Sequence, residues 1–163
     1  VIVRIGACLA LTGCSVLISD ECKPSSVEAA TIDPGEPYRC ADRYQNHGDG
    51  CGEDGYALGY GAKYAEKFMW ETYETVEPET QAFLVRNLIC LQERFIYDTT
   101  TEMTCDELWG LAIASHVDCY IESGVCELST TELLKVFSTV DQEDIGTSEA
   151  LDATGAIWDH CWG

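Results

Sequence analysis

Ten cysteines in 163 residues constrain this chain more than any other feature. Such a density is unusual in a cytosolic protein and ordinary in an exported domain stapled by disulfides. No Cys-x-x-Cys pair occurs, so neither a thioredoxin-like redox pair nor a zinc ribbon is expected. The three histidines, His47, His116 and His160, are dispersed, and only His160 adjoins a cysteine. Adjacent residues on a helix project about 100° apart, which does not build a Cys/His site.

The N-terminus reads as an address. Residues 1–13 place Arg4 ahead of a short apolar run, the order of a secretory signal, and the run is far shorter than the roughly 20 residues that span a bilayer. It ends Leu11-Thr12-Gly13-Cys14, which resembles the lipobox of bacterial lipoproteins, whose cysteine is acylated and becomes the mature N-terminus. On that resemblance Cys8 leaves with the signal and Cys14 carries lipid. Eight cysteines remain, Cys22, Cys40, Cys51, Cys90, Cys105, Cys119, Cys126 and Cys161, an even number suited to a closed framework. The expected location is the bacterial outer membrane or cell surface, or the secreted fraction, with membrane contact only through the lipid.

Beyond the signal, residues 14–37 are expected to form a flexible tether and 38–163 a disulfide-bonded helical domain. The tether and the start of the domain are rich in turn formers, including Asp33-Pro34-Gly35-Glu36-Pro37 and Asn46-His47-Gly48-Asp49-Gly50. From residue 55 the pattern is helical. Tyr56, Tyr60, Tyr64 and Phe68 recur every four residues, a one-faced stripe read as packing against neighbouring helices. Pro78-Glu79 opens a second helix, which ends at Asp98-Thr99-Thr100-Thr101. Thr104-x-x-Glu107 and Ser129-x-x-Glu132 are capping-box patterns for a third and a fourth, with Gly124 stopping the third. A last helix is expected over 147–161. The fold class is therefore all-α, a disulfide-rich domain of about five helices with an irregular N-terminal cap.

Helix geometry limits the cysteine pairings. Cys105 and Cys119 share one helix, about 21 Å apart along it, and a disulfide needs Cα atoms within about 7 Å. They project from one face and must each reach another segment, with Cys90 of the preceding helix an obvious partner for one of them. Cys161 must return to something far back in sequence.

Two segments carry a family resemblance. Gln81-Ala82-Phe83-Leu84-Val85-Arg86-Asn87-Leu88-Ile89-Cys90 resembles a cysteine-ended stretch of the stanniocalcins. Cys105-x13-Cys119-Tyr120-x5-Cys126, with the 34-residue gap to Cys161, resembles their cysteine spacing. The likeness spans roughly 51–161. Stanniocalcins are secreted, helical, disulfide-bonded hormones without enzymatic activity, linked to calcium and phosphate balance, and some inhibit a protease. Carried over by position, the resemblance implies Cys90–Cys119, Cys126–Cys161 and Cys51–Cys105, which leaves Cys22–Cys40. The chain departs from the family in having no Asn-x-Ser/Thr sequon and no cysteine after Cys161, so a homodimer would not form through the family's extra cysteine.

Charge narrows function further. The formal net charge is −20, which excludes a phosphate backbone as partner. Residues 98–163 hold fourteen acidic side chains and one basic one, Lys135, a field suited to cations or basic proteins. Asp141, Glu143, Glu149 and Asp152 fall at positions 1, 3, 9 and 12 of an EF-hand-like loop with Gly146 at position 6, and are the candidate Ca²⁺ ligands. Ile145 at position 5 and Asp rather than Glu at position 12 depart from that pattern, so a solvated acidic loop is the plainer expectation. Asp42, Asp49, Glu53 and Asp54 form a second acidic group of the same kind. No cofactor is required, and Ser115-His116 lacks a supporting motif for catalysis. The expectation is a non-enzymatic, lipid-anchored binding or regulatory protein with a protein partner. A calcium-binding envelope protein and a small exported hydrolase are the alternatives.

Overall fold

The computed structural model describes residues 18–24, 26–145 and 148–163. The signal segment, Cys8 and Cys14 lie outside them. The described chain is helical without strands and carries four disulfides, the expected all-α, disulfide-rich class.

Most of the described part of the expected tether is helical. Three short helices, α1 (Ser19–Cys22), α2 (Val27–Ile32) and α3 (Glu36–Asp42), precede residue 43. Ser26 caps α2 by accepting the Ala29 N–H at 3.1 Å, and Pro37 sits in the first turn of α3, where a missing N–H costs nothing. Ile18, Tyr38 and Ala41 are buried in the core, and Cys22–Cys40 joins α1 to α3. Arg39 ties this end down through ion pairs with Asp33, Glu36 and Glu66, and Gln92 donates to the Pro34 carbonyl at 2.9 Å.

The aromatic stripe lies on a helical run over 57–75 that is α-helical only in its middle, α4 (Lys63–Lys67). Ala57–Ala62 and Phe68–Thr72 are π-helical, and Tyr73–Thr75 is a 3₁₀ turn. In an α-helix, side chains four residues apart drift by about 40° per step, so a stripe of four would wander off its face. The wider π turns, bonded i to i+5, take up that drift. The rings stay in register, with Tyr56–Tyr60 centroids 5.6 Å and Tyr60–Tyr64 centroids 4.6 Å apart. Gly61 permits the close approach of this run to α3, since a Cβ there would lie 2.6 Å from the Tyr38 ring.

Two long helices form the frame. α5 (Pro78–Asp98) buries Thr80, Phe83, Leu84, Asn87, Leu88, Gln92, Phe95 and Ile96, spacings of three and four that give one inward face. α6 (Cys105–Ser123) begins with the complete Thr104–Glu107 capping box and ends at Gly124, whose φ of 96° is the left-handed conformation that suits glycine. Arg86 lies opposite Ser123, Cys90 opposite Cys119 and Arg94 opposite Asp118, so the two helices run antiparallel. Arg86 donates twice to the Ser123 carbonyl, at 3.0 and 2.8 Å, adding a cation at the negative end of α6.

The remainder follows as α7 (Thr130–Ser138), α8 (Gln142–Ile145) and α9 (Ser148–Trp162), with α9 packed along α6. Only half of the second capping box forms. Ser129 accepts the Glu132 N–H at 3.3 Å, but the Glu132 carboxylate is buried and accepts from the Glu77 N–H at 2.8 Å and Lys135 at 2.6 Å. A side chain of α7 thereby holds the chain entering α5. Cys126–Cys161 fastens the end of α9 to the turn after α6. Two apolar clusters result, one around Tyr38, Tyr56 and Phe95 and one around Phe83, Val125, Val136 and Ile157. Helices α5 and α6 contribute to both.

Candidate functional site

The eight cysteines form Cys22–Cys40, Cys51–Cys105, Cys90–Cys119 and Cys126–Cys161, with Cα separations of 5.4, 5.7, 5.6 and 5.1 Å. These are the pairs that the resemblance implies. Cys105 and Cys119 each reach another segment, as their spacing along one helix demands.

Of the acidic candidates, Asp141 is engaged by lysines of α4. Residues 142–145 are helical, whereas an EF-hand wraps its ion in a loop. Asp141 is 2.7 Å from Lys63 and 2.6 Å from Lys67, and Asp144 is 2.9 Å from Lys63. Tyr64 donates to Asp144 and accepts the Asp141 N–H at 3.1 Å. The lysines hold the Asp141 carboxyl well below the usual range, while hydrogen bonds from Tyr64 and Lys63 outweigh partial burial to lower Asp144. Glu143 and Asp152 are exposed, and the side chain of Glu149 lies outside the described residues. In the second acidic group, Asp42 accepts the N–H groups of Cys51 and Gly52 at 2.8 and 3.1 Å and so shapes the cap. Among the described residues no three His, Cys, Asp or Glu side chains are placed to hold a metal ion.

Ser115 and His116 do not form a nucleophile–base pair. Ser115 Oγ donates to the Ala112 carbonyl at 2.7 Å, and His116 Nδ1 lies 2.8 Å from the same oxygen. That carbonyl can only accept, so Nδ1 carries the proton and Nε2 is left as an acceptor. Burial holds the imidazole below its ordinary pKa of 6.5 against the opposing pull of the backbone carbonyls, which keeps the ring neutral at pH 7.

His116 belongs instead to a cavity that sequence reasoning does not anticipate. Ile113, His116 and Tyr120 follow one another at spacings of three and four, so they share a face of α6. With Tyr60 from the π-helical turn, Phe137 of α7, Val140 just beyond it, and Ala153, Thr154 and Ile157 from α9, they line a cavity of about 260 Å³ that opens to the surface. A recess of about 40 Å³ shares Tyr60, His116, Tyr120 and Val140 with it and extends to Asn87. The Asn87 Oδ1 is buried with no partner in the protein. Burial raises the pKa of Tyr120 and pushes Tyr60 up to about 12, so both phenols stay protonated. The Lys63–Tyr64–Asp141–Asp144 cluster pins α8 and the end of α7 to α4 beside this cavity. The only sequence signal was a histidine inside the apolar stripe of α6.

A second surface lies on the outer side of α9. Leu151, Trp158 and Trp162 are exposed at 57%, 61% and 43%, and residues seven and eleven apart fall on one helix face. The two indoles are 5.0 Å apart, and the exposed Asp152 and Asp159 follow Leu151 and Trp158 in sequence. Every basic side chain among the described residues is engaged within the protein. Lys23 bonds Tyr97, Arg39 and Arg43 meet Glu36, Lys63 and Lys67 meet Asp141, Arg86 meets Ser123, Arg94 meets Glu122, and Lys135 meets Glu132.

A scan against protein-family models, a search of curated proteins and a search of solved structures each return no match for this chain.

Proposed function

We propose that this chain is a non-enzymatic binding or regulatory protein of the cell exterior, stanniocalcin-like in framework, lipid-anchored through Cys14, and directed at a basic protein partner. Its four disulfides belong to an oxidising compartment. Among the described residues no helix is long and apolar enough to cross a membrane. The observation that carries the partner reading is the outer face of α9. Exposed tryptophans are rare on a free surface and frequent at interface centres. Here two of them share a helix with the exposed carboxylates Asp152 and Asp159, on a chain whose described cations are all engaged internally. A partner presenting Lys or Arg around an apolar patch would complement that face in charge and in shape.

The test is a photo-crosslinking residue at position 151 in the envelope of the producing cell, with intact-mass analysis of the mature chain. The expected outcome is a diacylglyceryl adduct on Cys14 and one crosslinked basic protein. Added salt, Trp158→Ala and the pair Asp152→Asn with Asp159→Asn should each weaken that adduct. A crosslink indifferent to salt and to those substitutions would overturn the partner reading, and a mature chain without lipid would overturn the anchor.

A further inference from the structure

The geometry points to a second binding function, independent of the partner face. The cavity between α6 and α9 is a site for an uncharged aromatic molecule of one or two rings carrying a single hydrogen-bond donor. Three features of the wall define that class.

The first is size. A dry engineered cavity of about 150 Å³ admits benzene, so about 260 Å³ leaves room for a fused bicycle such as indole. The second is the aromatic wall. Tyr60, His116, Tyr120 and Phe137 line the space, with the Tyr60 and His116 rings 5.8 Å apart and steeply inclined. That arrangement presents both ring faces and ring edges, which suits a flat aromatic guest. The third is polarity. No Lys, Arg, Asp or Glu lines the cavity, and a charged guest would lose its hydration without a counter-ion. An anion in particular has no cation to meet, because those of the described residues are spent elsewhere.

Besides the hydroxyls of Tyr60, Tyr120 and Thr154, the wall carries one imidazole that can orient the guest. His116 donates through Nδ1 to its own helix, and the bare Nε2 belongs to a ring that lines both the cavity and its recess. It can accept one N–H or O–H. An acceptor set in a mostly apolar wall favours guests that carry a donor. The cavity lies on the Ala153–Ile157 side of α9, away from the Trp158 face, so the loss of either function leaves the other measurable.

The experiment titrates indole into the oxidised full chain by calorimetry, with the cavity-filling variant Ala153→Phe and the acceptor-deleting variant His116→Phe beside it. Indole is expected to bind one-to-one with a dissociation constant on the order of tens of micromolar, within what nine non-hydrogen atoms can deliver. Ala153→Phe should weaken it at least roughly twentyfold while the melting temperature holds or rises. His116→Phe should weaken indole several-fold yet leave 1-methylindole, which lacks the donor, unchanged. No saturable binding up to about 1 mM would overturn the proposal. Equal binding to wild type and to a folded Ala153→Phe variant would place the ligand elsewhere and overturn it too.

Discussion

Cys126–Cys161 is the bridge whose removal should cost the most clearly interpretable stability. It closes a loop with a sequence separation of 35, and no other disulfide begins or ends inside that interval. By contrast, the loops of Cys51–Cys105 and Cys90–Cys119 overlap over residues 90–105, so their effects on the unfolded chain cannot be added. For the isolated loop, the chain-entropy relation gives about 4 kcal/mol at 25 °C. At about 2–4 °C per kcal/mol for a domain of this size, the double variant Cys126→Ala/Cys161→Ala should melt roughly 8–16 °C lower. The same bond holds the end of α9, whose Ile157 is buried in the second cluster, so α9 is also the element expected to loosen first. Urea unfolding at 25 °C, followed by helical signal and by tryptophan emission, separates the two effects. A lower midpoint with coincident transitions means the whole domain has lost the loop entropy. In a Trp70→Phe/Trp109→Phe background, where Trp158 and Trp162 alone report, an early tryptophan transition means α9 detaches on its own. A loss below about 1 kcal/mol with a single unshifted transition would refute the loop-entropy reasoning.

Four further outcomes are expected. Gly61→Ala places a Cβ 2.6 Å from the Tyr38 ring and should destabilise by about 1–3 kcal/mol in denaturant titration, the usual cost of overpacking. Asp141 and Asp144 titrate below their ordinary 3.8 because of Lys63, Lys67 and Tyr64. The stability they contribute is therefore complete above that value and lost as pH falls beneath it, and Asp141→Asn/Asp144→Asn should flatten the acid limb of a melting-temperature profile. His116 titrates below 6.5, so the unfolded chain takes up its proton first and stability falls as pH drops through 6.5. His116→Phe should remove that slope in the same profile. Melting temperature should rise between about 10 and 150 mM salt, because screening relieves repulsion among excess carboxylates. A fall would mean that the ion pairs at α4 and α8 outweigh it.

The helix ends legible in the sequence were those set by a single local residue. Pro78, the Thr104–Glu107 pair, Gly124 and Ser129 each act within one turn, and the boundaries of α5, α6 and α7 lie where they indicate. The three N-terminal helices, of four, six and seven residues, make fewer than two turns apiece, too few for a hydrophobic period to emerge. What fixes them is distant: the Cys22–Cys40 bond, the burial of Ile18 and Tyr38, and the reach of Arg39 to Glu66. The surroundings of the EF-hand-like segment are set at a distance as well. Whether Asp141 is free to bind a cation depends on Lys63 and Lys67, more than seventy residues away. The cavity is equally non-local, since its walls come from four segments and only the α6 portion has a readable spacing.

The charge and the cysteines are two sides of one physical arrangement. A net charge of −20 works against compaction, and the described basic side chains answer it locally. They cross-link elements as Arg39 does α3 and α4, Arg94 does α5 and α6, and Lys63 does α4 and α8. Exposed ion pairs of this kind contribute little each and cannot offset the excess alone. The bridges act differently, because they restrict the unfolded chain and do not weaken with salt or pH. They relieve the surface of any need to be charge-balanced for stability, and leave carboxylates such as Asp152 and Asp159 exposed on the helix that carries two exposed tryptophans. An outward face that is both acidic and apolar is costly for a free protein to carry. On this chain the disulfide framework makes it affordable, and contact with a basic partner is what would make it useful.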